Sequence, residues 1–167
     1  MNTSNQACAA GHTEIERKFR VKDDSYKGLS IRHVRIRQGY LALNEKCSVR
    51  VRLWDEQGYI TIKGKTAAGH IARFEWEKPI PKADAEALLN LAVSGYVDKV
   101  RWLVPLTDAL TCEVDEFLGL NSGLVLAEIE LPAEDAAFPK PAFLGEDVSH
   151  DPRFFNSYLS LHPYSTW

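Results

Sequence analysis

Apolar and polar positions alternate with period two along most of the chain. Glu14-Ile15-Glu16-Arg17-Lys18-Phe19-Arg20-Val21 starts the pattern, and Val34–Arg37, Ser48–Leu53, Tyr59–Lys63 and Arg73–Glu77 continue it. Lys99–Trp102, Cys112–Phe117 and Ala127–Leu131 complete the set. Alternation at 180° per residue, with Val, Ile and aromatics on one parity, predicts strands with two unlike faces. About eight such runs in one small chain predict a large antiparallel sheet or a closed barrel. Turns are expected at Asn44-Glu45 before Cys47, at Glu56-Gln57-Gly58, and at Ala67-Ala68-Gly69. Two helices are predicted. One runs from Pro81 to Val93 with an apolar stripe at Ala85, Leu88, Leu89 and Ala92, closed by Gly95, and one runs from about Pro152 to Leu161.

The polar face of these strands is nearly all ionised, and the charges are segregated by strand. Arg50, Arg52, Lys63, Lys99 and Arg101 are cationic, whereas Glu113, Asp115, Glu128 and Glu130 are anionic. Glu14, Glu16 and Lys18 mix both signs on one face, as do Arg73, Glu75 and Glu77. Charged strand faces are usually just solvated, but two helices are too few to cover a flat eight-stranded sheet. If the sheet closes, one face becomes the lumen. An apolar lumen would give a conventional filled barrel with charges outside. A charged lumen requires the apolar faces to point outward, under helices and loops. The grouping of several cations beside several carboxylates favours the charged lumen. Burying unpaired ions is costly, so such a lumen would be wet and filled by ligand. Convergent Arg and Lys suit a polyanion such as a phosphate chain. Clustered carboxylates suit a hard divalent cation, Mg²⁺ or Mn²⁺.

Size and composition narrow the class further. The 167 residues favour one domain, read here as 13–167, with the polar, small-residue-rich segment 1–12 as a disordered extension. The formal net charge of −3 argues against a nucleic-acid-coating protein. Cys8, Cys47 and Cys112 form neither a disulfide framework nor a zinc pair, which fits a reducing cytoplasm. No apolar run approaches the ~20 residues that span a membrane, and the N-terminus lacks secretory features.

Glu14-Ile15-Glu16-Arg17-Lys18 matches the E-x-E-x-K pattern of the triphosphate tunnel metalloenzymes, the CYTH superfamily. The chain resembles that family from about residue 13 to 160. Gln38-Gly39-Tyr40-Leu41 looks like its second strand, followed by the paired Arg50 and Arg52, Thr61-Ile62-Lys63-Gly64, the Arg73/Glu75/Glu77 strand, a helix, and Lys99-Val100-Arg101. Glu113-Val114-Asp115 and Glu128-Ile129-Glu130 follow, and the stretch from Gly145 to Asn156 is similar to the end of the small bacterial members. The resemblance implies an α+β fold: a closed eight-stranded antiparallel β-barrel forming a charged tunnel, with a few flanking helices. It implies metal-dependent hydrolysis of inorganic triphosphate to pyrophosphate and phosphate, with Mg²⁺ or Mn²⁺, two ions being expected. It also implies a monomer or homodimer with a small-molecule substrate and no nucleic-acid or membrane partner.

Lys18 and Tyr40 match a lysine and a tyrosine that the family associates with triphosphate hydrolysis. Lys18 would contact the phosphate under attack or the leaving group, and Tyr40 would orient Lys18 and lower its pKa. Arg50, Arg52, Lys63, Lys99 and Arg101 would hold the phosphates. Arg73 is either a further phosphate contact or an ion-pair partner, and so is Arg153, which would act as a lid. Glu14, Glu16, Glu128 and Glu130 are the best metal candidates. Glu113, Asp115, Glu75 and Glu77 come next, with pairing to arginine as the plainer role of Glu75 and Glu77. Arg35 and Arg37 have the opposite parity from Gln38 and Tyr40 and should face out. The five histidines show no metal-ligand spacing. Cys112 should be an outward, packed thiol, and Trp54, Trp76 and Trp102 should pack on the outer face. A thiamine triphosphatase or class IV adenylate cyclase would need a lumen aromatic, for which Tyr40 is the only candidate on this reading. A polyphosphate-binding module without turnover would need fewer carboxylates.

Overall fold

The computed structural model describes residues 13–65 and 71–167. It contains strands β1 (Thr13–Val21), β2 (Arg32–Leu43), β3 (Cys47–Trp54), β4 (Gln57–Gly64) and β5 (Ala72–Ile80). Strands β6 (Val97–Pro105), β7 (Thr111–Phe117), β8 (Val125–Glu130) and β9 (Leu144–Asp147) follow. The helices are α1 (Tyr26–Leu29), α2 (Lys82–Leu89) and α3 (Asn156–Leu159). The strands run in the order β5-β4-β3-β2-β6-β7-β8-β1, and a β1–β5 pairing closes the ring into the expected eight-stranded antiparallel barrel. One edge of β1 pairs with β8 over Glu16–Arg20; the other pairs first with β5 at Thr13–Ile15 and then with β9 near Phe19–Val21. The four-residue β9 is too short for alternation to mark it, so the ninth strand went unseen in the sequence.

The helices are shorter than the periodicity predicts. Helix α2 stops at Leu89, and the chain leaves it in a tight turn because the Val93 amide donates to the Tyr40 carbonyl on β2. The C-terminal segment breaks at Phe155, whose extended backbone separates a 3-10 turn at Pro152–Phe154 from α3. The β3–β4 turn is Asp55-Glu56, with Trp54 paired to Gln57, one residue earlier than expected. The Asn44 side chain accepts from the Lys46 and Cys47 amides and shapes the preceding turn. The turn expected at Ala67-Ala68-Gly69 and the extension 1–12 lie outside the described residues.

Alternation sends the apolar residues outward, where loops and helices cover them. Phe19, Tyr26, Cys112, Val114, Ala127, Ile129, Phe143 and Leu144 form one outer core. Cys112 is therefore the packed thiol expected, and burial pushes its pKa up to about 12. Val51, Ala85 and Leu89 form a second core beneath α2, joined by Leu41, Leu53, Ile80 and Leu88. Burying Leu89 there contributes roughly 1.5–3 kcal/mol. Two glycines admit the helix: a Cβ on Gly58 would lie 2.6 Å from the Ala85 Cβ and 2.9 Å from the Ile80 carbonyl oxygen, and one on Gly39 would lie 2.9 Å from the Ala92 Cβ.

One end of the barrel is closed. Val97, Phe117 and Leu126 share parity with the inward charges and pack with Val148, Phe154 and Leu159 of the C-terminal segment. Just above this plug Lys99 and Asp115 are fully buried; Lys99 donates to Asp115, and Arg101 clamps the same carboxylate through Nε and Nη2, each at 2.7 Å.

Gly58→Val should destabilise the protein by about 1–3 kcal/mol through overpacking against α2, read as a lower urea midpoint. Asp115→Ala should cost more, about 3–5 kcal/mol, because it leaves Lys99 and Arg101 as buried cations short of a counter-charge. The same urea titration checks it.

Candidate active site

The lumen above the plug is a cavity of about 370 Å³. Its wall is built strand by strand from the inward parity: Glu14, Glu16 and Lys18 from β1, Tyr40 from β2, Arg50 and Arg52 from β3, and Lys63 from β4. Arg73, Glu75 and Glu77 come from β5, Arg101 from β6, Glu113 from β7, and Glu128 and Glu130 from β8. Arg35 and Arg37, on the other parity of β2, are exposed and pair with Asp98.

Every cation of this wall meets a carboxylate. Lys18 donates to Glu128 and sits 3.2 Å from Glu16. Lys63 pairs with Glu14 at 2.5 Å and Glu75 at 3.0 Å, and Arg73 Nε donates to Glu14 at 2.8 Å. Arg52 pairs with Glu77 at 3.0 Å, and Arg50 reaches the same carboxylate at 3.5 Å while donating to the Thr61 hydroxyl at 3.1 Å. Arg101 bridges Glu113, Asp115 and Glu128. This pairing is what allows so many ions inside a barrel.

The protonation pattern follows from burial set against these neighbours. Burial alone would raise the Glu128 carboxyl, but Lys18, Lys99 and Arg101 hold it well below the usual range. Glu14 is likewise held low, against burial, by Lys63 and Arg73. Burial raises Glu113 and Glu75. Burial also raises Glu130, helped by Glu14, Glu113 and Glu16. Burial would lower Lys18, but Glu128 and Glu16 raise it, so its ammonium is secured. The expectation that Tyr40 would depress Lys18 is corrected on this point, because two carboxylates face the ammonium. The Tyr40 hydroxyl instead accepts from Gln38 Nε2 at 3.5 Å, and burial raises its own pKa.

Two features bear on which ligands fit. Arg50 Nε and Arg52 Nε are buried donors with no partner among the described residues. Such orphaned donors are costly unless something accepts from them, and an oxyanion does so well. On the acidic side Glu16 lies across from Glu130 and Glu113 across from Glu128. Facing like charges destabilise a sheet unless a cation stands between them. Glu130 makes no ion pair among the described residues, and burial first and then the nearby carboxylates raise its pKa. Hard oxygen donors of this kind suit Mg²⁺ or Mn²⁺. Among the described residues no three carboxylate, histidine or cysteine groups already stand together as a metal cluster. A metal ion held by Glu14, Glu16 or Glu128 would compete with their present lysine and arginine partners.

The structure brings together all but three of the residues expected at the site. Lys99 and Asp115 lie beneath the cavity in the closed end, where burial pulls Lys99 down to about 8 although Asp115 accepts from it. Arg153 is exposed and pairs with Asp151, outside the wall. One assignment is overturned. Trp54 lines the cavity instead of packing outside, because it shares parity with Arg50 and Arg52; Trp76 and Trp102 have the outward parity, and Trp102 packs on Tyr26. Thr13, Ser48, Phe155, Asn156 and Ser157 also line the cavity. The parity of Ser48 with Arg50 was a usable signal. Phe155–Ser157 reach the cavity through the C-terminal fold-back, which leaves no mark in the sequence; Asn156 accepts from Lys99 at 3.4 Å.

A CYTH domain model matches residues 12–155. A protein from Acetivibrio thermocellus named inorganic triphosphatase is 46% identical over 155 residues, covering 92% of this chain and 97% of that one. Another of that name, from Nitrosomonas europaea, is 35% identical over 152 residues, covering 89% of this chain and 97% of its own. A solved inorganic triphosphatase structure superposes with a TM-score of 0.61 at 33% identity, covering 89% of this chain and 94% of the other. A barrel closed by β1–β5, an inward E-x-E-x-K strand and these matches agree: the chain belongs to the CYTH domain family.

Proposed function

We propose that this protein hydrolyses inorganic triphosphate to pyrophosphate and phosphate inside the charged barrel, with Mg²⁺ or Mn²⁺ as cofactor. The observation that carries the reading is the pair of orphaned guanidinium donors, Arg50 Nε and Arg52 Nε, in a wall of cations with matched carboxylates. The 46% identity to a protein named inorganic triphosphatase supports the same substrate.

Arg50, Arg52, Lys63, Arg73 and Arg101 donate to the phosphate oxygens in exchange for their present carboxylate partners. That exchange neutralises the chain and frees Glu14 from Lys63 and Arg73 and Glu128 from Arg101; with Glu16 and Glu130 they would hold the metal. Glu75, Glu77 and Glu113 hold the cations in place between turnovers. A divalent ion bound by these carboxylates would polarise phosphate oxygens, and a second would lower the pKa of the attacking water. Lys18, held protonated, neutralises charge that develops on the phosphate under attack or on the leaving group. Tyr40 fixes the position of the phosphate end nearest Lys18. Lys99 and Asp115 brace Arg101 from below. Residues 13–167 act as one catalytic domain in the cytoplasm, as a monomer or homodimer. Among the described residues no helix is long and apolar enough to cross a membrane.

Phosphate release is expected from triphosphate with Mg²⁺ or Mn²⁺, to vanish with EDTA, and to be much slower from ATP, thiamine triphosphate and pyrophosphate. Faster release from an organic triphosphate would move the assignment to another activity. Metal-independent polyphosphate binding without any release would replace it with a binding module. Lys18→Ala should lower kcat by about 10²–10³-fold, the range for loss of one electrostatic stabiliser. Glu130→Gln breaks no ion pair, so its urea midpoint should shift by no more than about 0.5 kcal/mol of stability. Its Mg²⁺ titration of activity should nonetheless shift by about 10-fold or more if Glu130 is a ligand.

A further inference from the structure

The cavity is unequal along its length. On β3 the inward row runs Ser48, Arg50, Arg52, Trp54, from the smallest side chain to the largest. The Arg52 guanidinium lies near two rings, 5.0 Å from the centroid of Trp54 and 5.6 Å from that of Tyr59. Arg101 lies 5.9 Å from the Trp54 ring. Cations at this distance over an indole face are attracted by roughly 0.5–2 kcal/mol, which helps hold the ring where it is. The Trp54 N–H makes no hydrogen bond among the described residues, unlike Trp102, which donates to Glu116, and Trp167, which donates to the His162 carbonyl. An indole face offers a polyphosphate no site for another anionic group, whereas its one free N–H can cap a terminal oxygen.

We infer that Trp54 is a specificity-determining residue that ends the phosphate track and limits the substrate to short linear polyphosphates. The inference rests on the phosphate-binding reading of the cavity and deepens it. A chain held by Arg50 and Arg52 meets the indole just past Arg52, and a longer chain must displace an aromatic ring that two guanidiniums hold. Trp54 touches the end of the substrate and takes no part in bond breaking. It therefore sets which chain lengths bind, while Lys18 and the carboxylates set the rate.

The test compares wild type, Trp54→Phe and Trp54→Ala with triphosphate, tetraphosphate and long-chain polyphosphate. Binding is followed by calorimetry in EDTA and turnover with Mg²⁺; circular dichroism and the urea midpoint confirm folding. The wild type should bind triphosphate at least about tenfold more tightly than long-chain polyphosphate, and Trp54→Ala should reduce that preference by about tenfold, the range by which a filled or vacated apolar pocket discriminates. Trp54→Phe should keep most of it. The turnover ratio of tetraphosphate to triphosphate should rise through KM with kcat little changed. Equal wild-type affinity for all chain lengths, or a Trp54→Ala variant that weakens all of them alike, would overturn the inference. The binding arm decides it even if wild type hydrolyses none of these compounds, an outcome that would sink the triphosphatase reading alone.

Discussion

Ionised side chains on the inward face of a closed sheet can persist only if each meets an opposite charge or a ligand, and the rest of this structure is arranged around that requirement. Moving an unpaired ion out of water costs several kcal/mol even after relaxation. Lys18 with Glu128, Lys63 and Arg73 with Glu14, and Arg52 with Glu77 meet it in the absence of ligand. The cavity wall sets six lysine and arginine groups against seven carboxylates, a near-balance that a polyanion and a metal ion would shift together on the proposed reading. A phosphate chain alone would displace the carboxylates, and a metal ion alone would displace the cations.

Inward charge forces the apolar residues outward, so stability comes from the sheath and the plug. Helix α2 can lie flat on β2–β4 only because Gly39 and Gly58 present no side chain beneath it. The segment carrying β9 and α3 does two jobs. It pairs with the free half of β1 and brings Phe154 and Leu159 into the closed end. This plug lets Lys99 and Asp115 be fully dry, which distinguishes their ion pair from those in the cavity wall above.

The wall divides by depth and by partner. Arg101 is tied to three carboxylates at the bottom, whereas Arg50 and Arg52 keep buried Nε donors without a partner among the described residues. Glu128 is held as a firm carboxylate by three cations, while Glu130 makes no ion pair among the described residues and is raised by burial and by neighbouring carboxylates. Groups of one residue type are thus set for different tasks by their neighbours alone.

The sequence by itself marked the eight barrel strands and nearly all the wall residues, and the family resemblance it carries implied their closure. Period-two alternation fixes which side chains share a face, and the grouping of cations beside carboxylates in a chain with few helices favoured the lumen as the place they line. The same parity rule placed Cys112 and Arg35 outward, and it would have placed Trp54 inward had that residue been counted with Arg50 and Arg52. Only the tertiary structure decided what depends on distant contacts. Helix α2 ends early because Val93 bonds across to Tyr40, and β9 exists because β5 leaves half of β1 unpaired. Lys18 is held as a cation because Glu128 on the neighbouring strand, 110 residues away in the chain, faces it beside Glu16 of its own strand. Which carboxylate meets which cation depends on strand register and barrel shear, and a pattern along one chain carries no information about either.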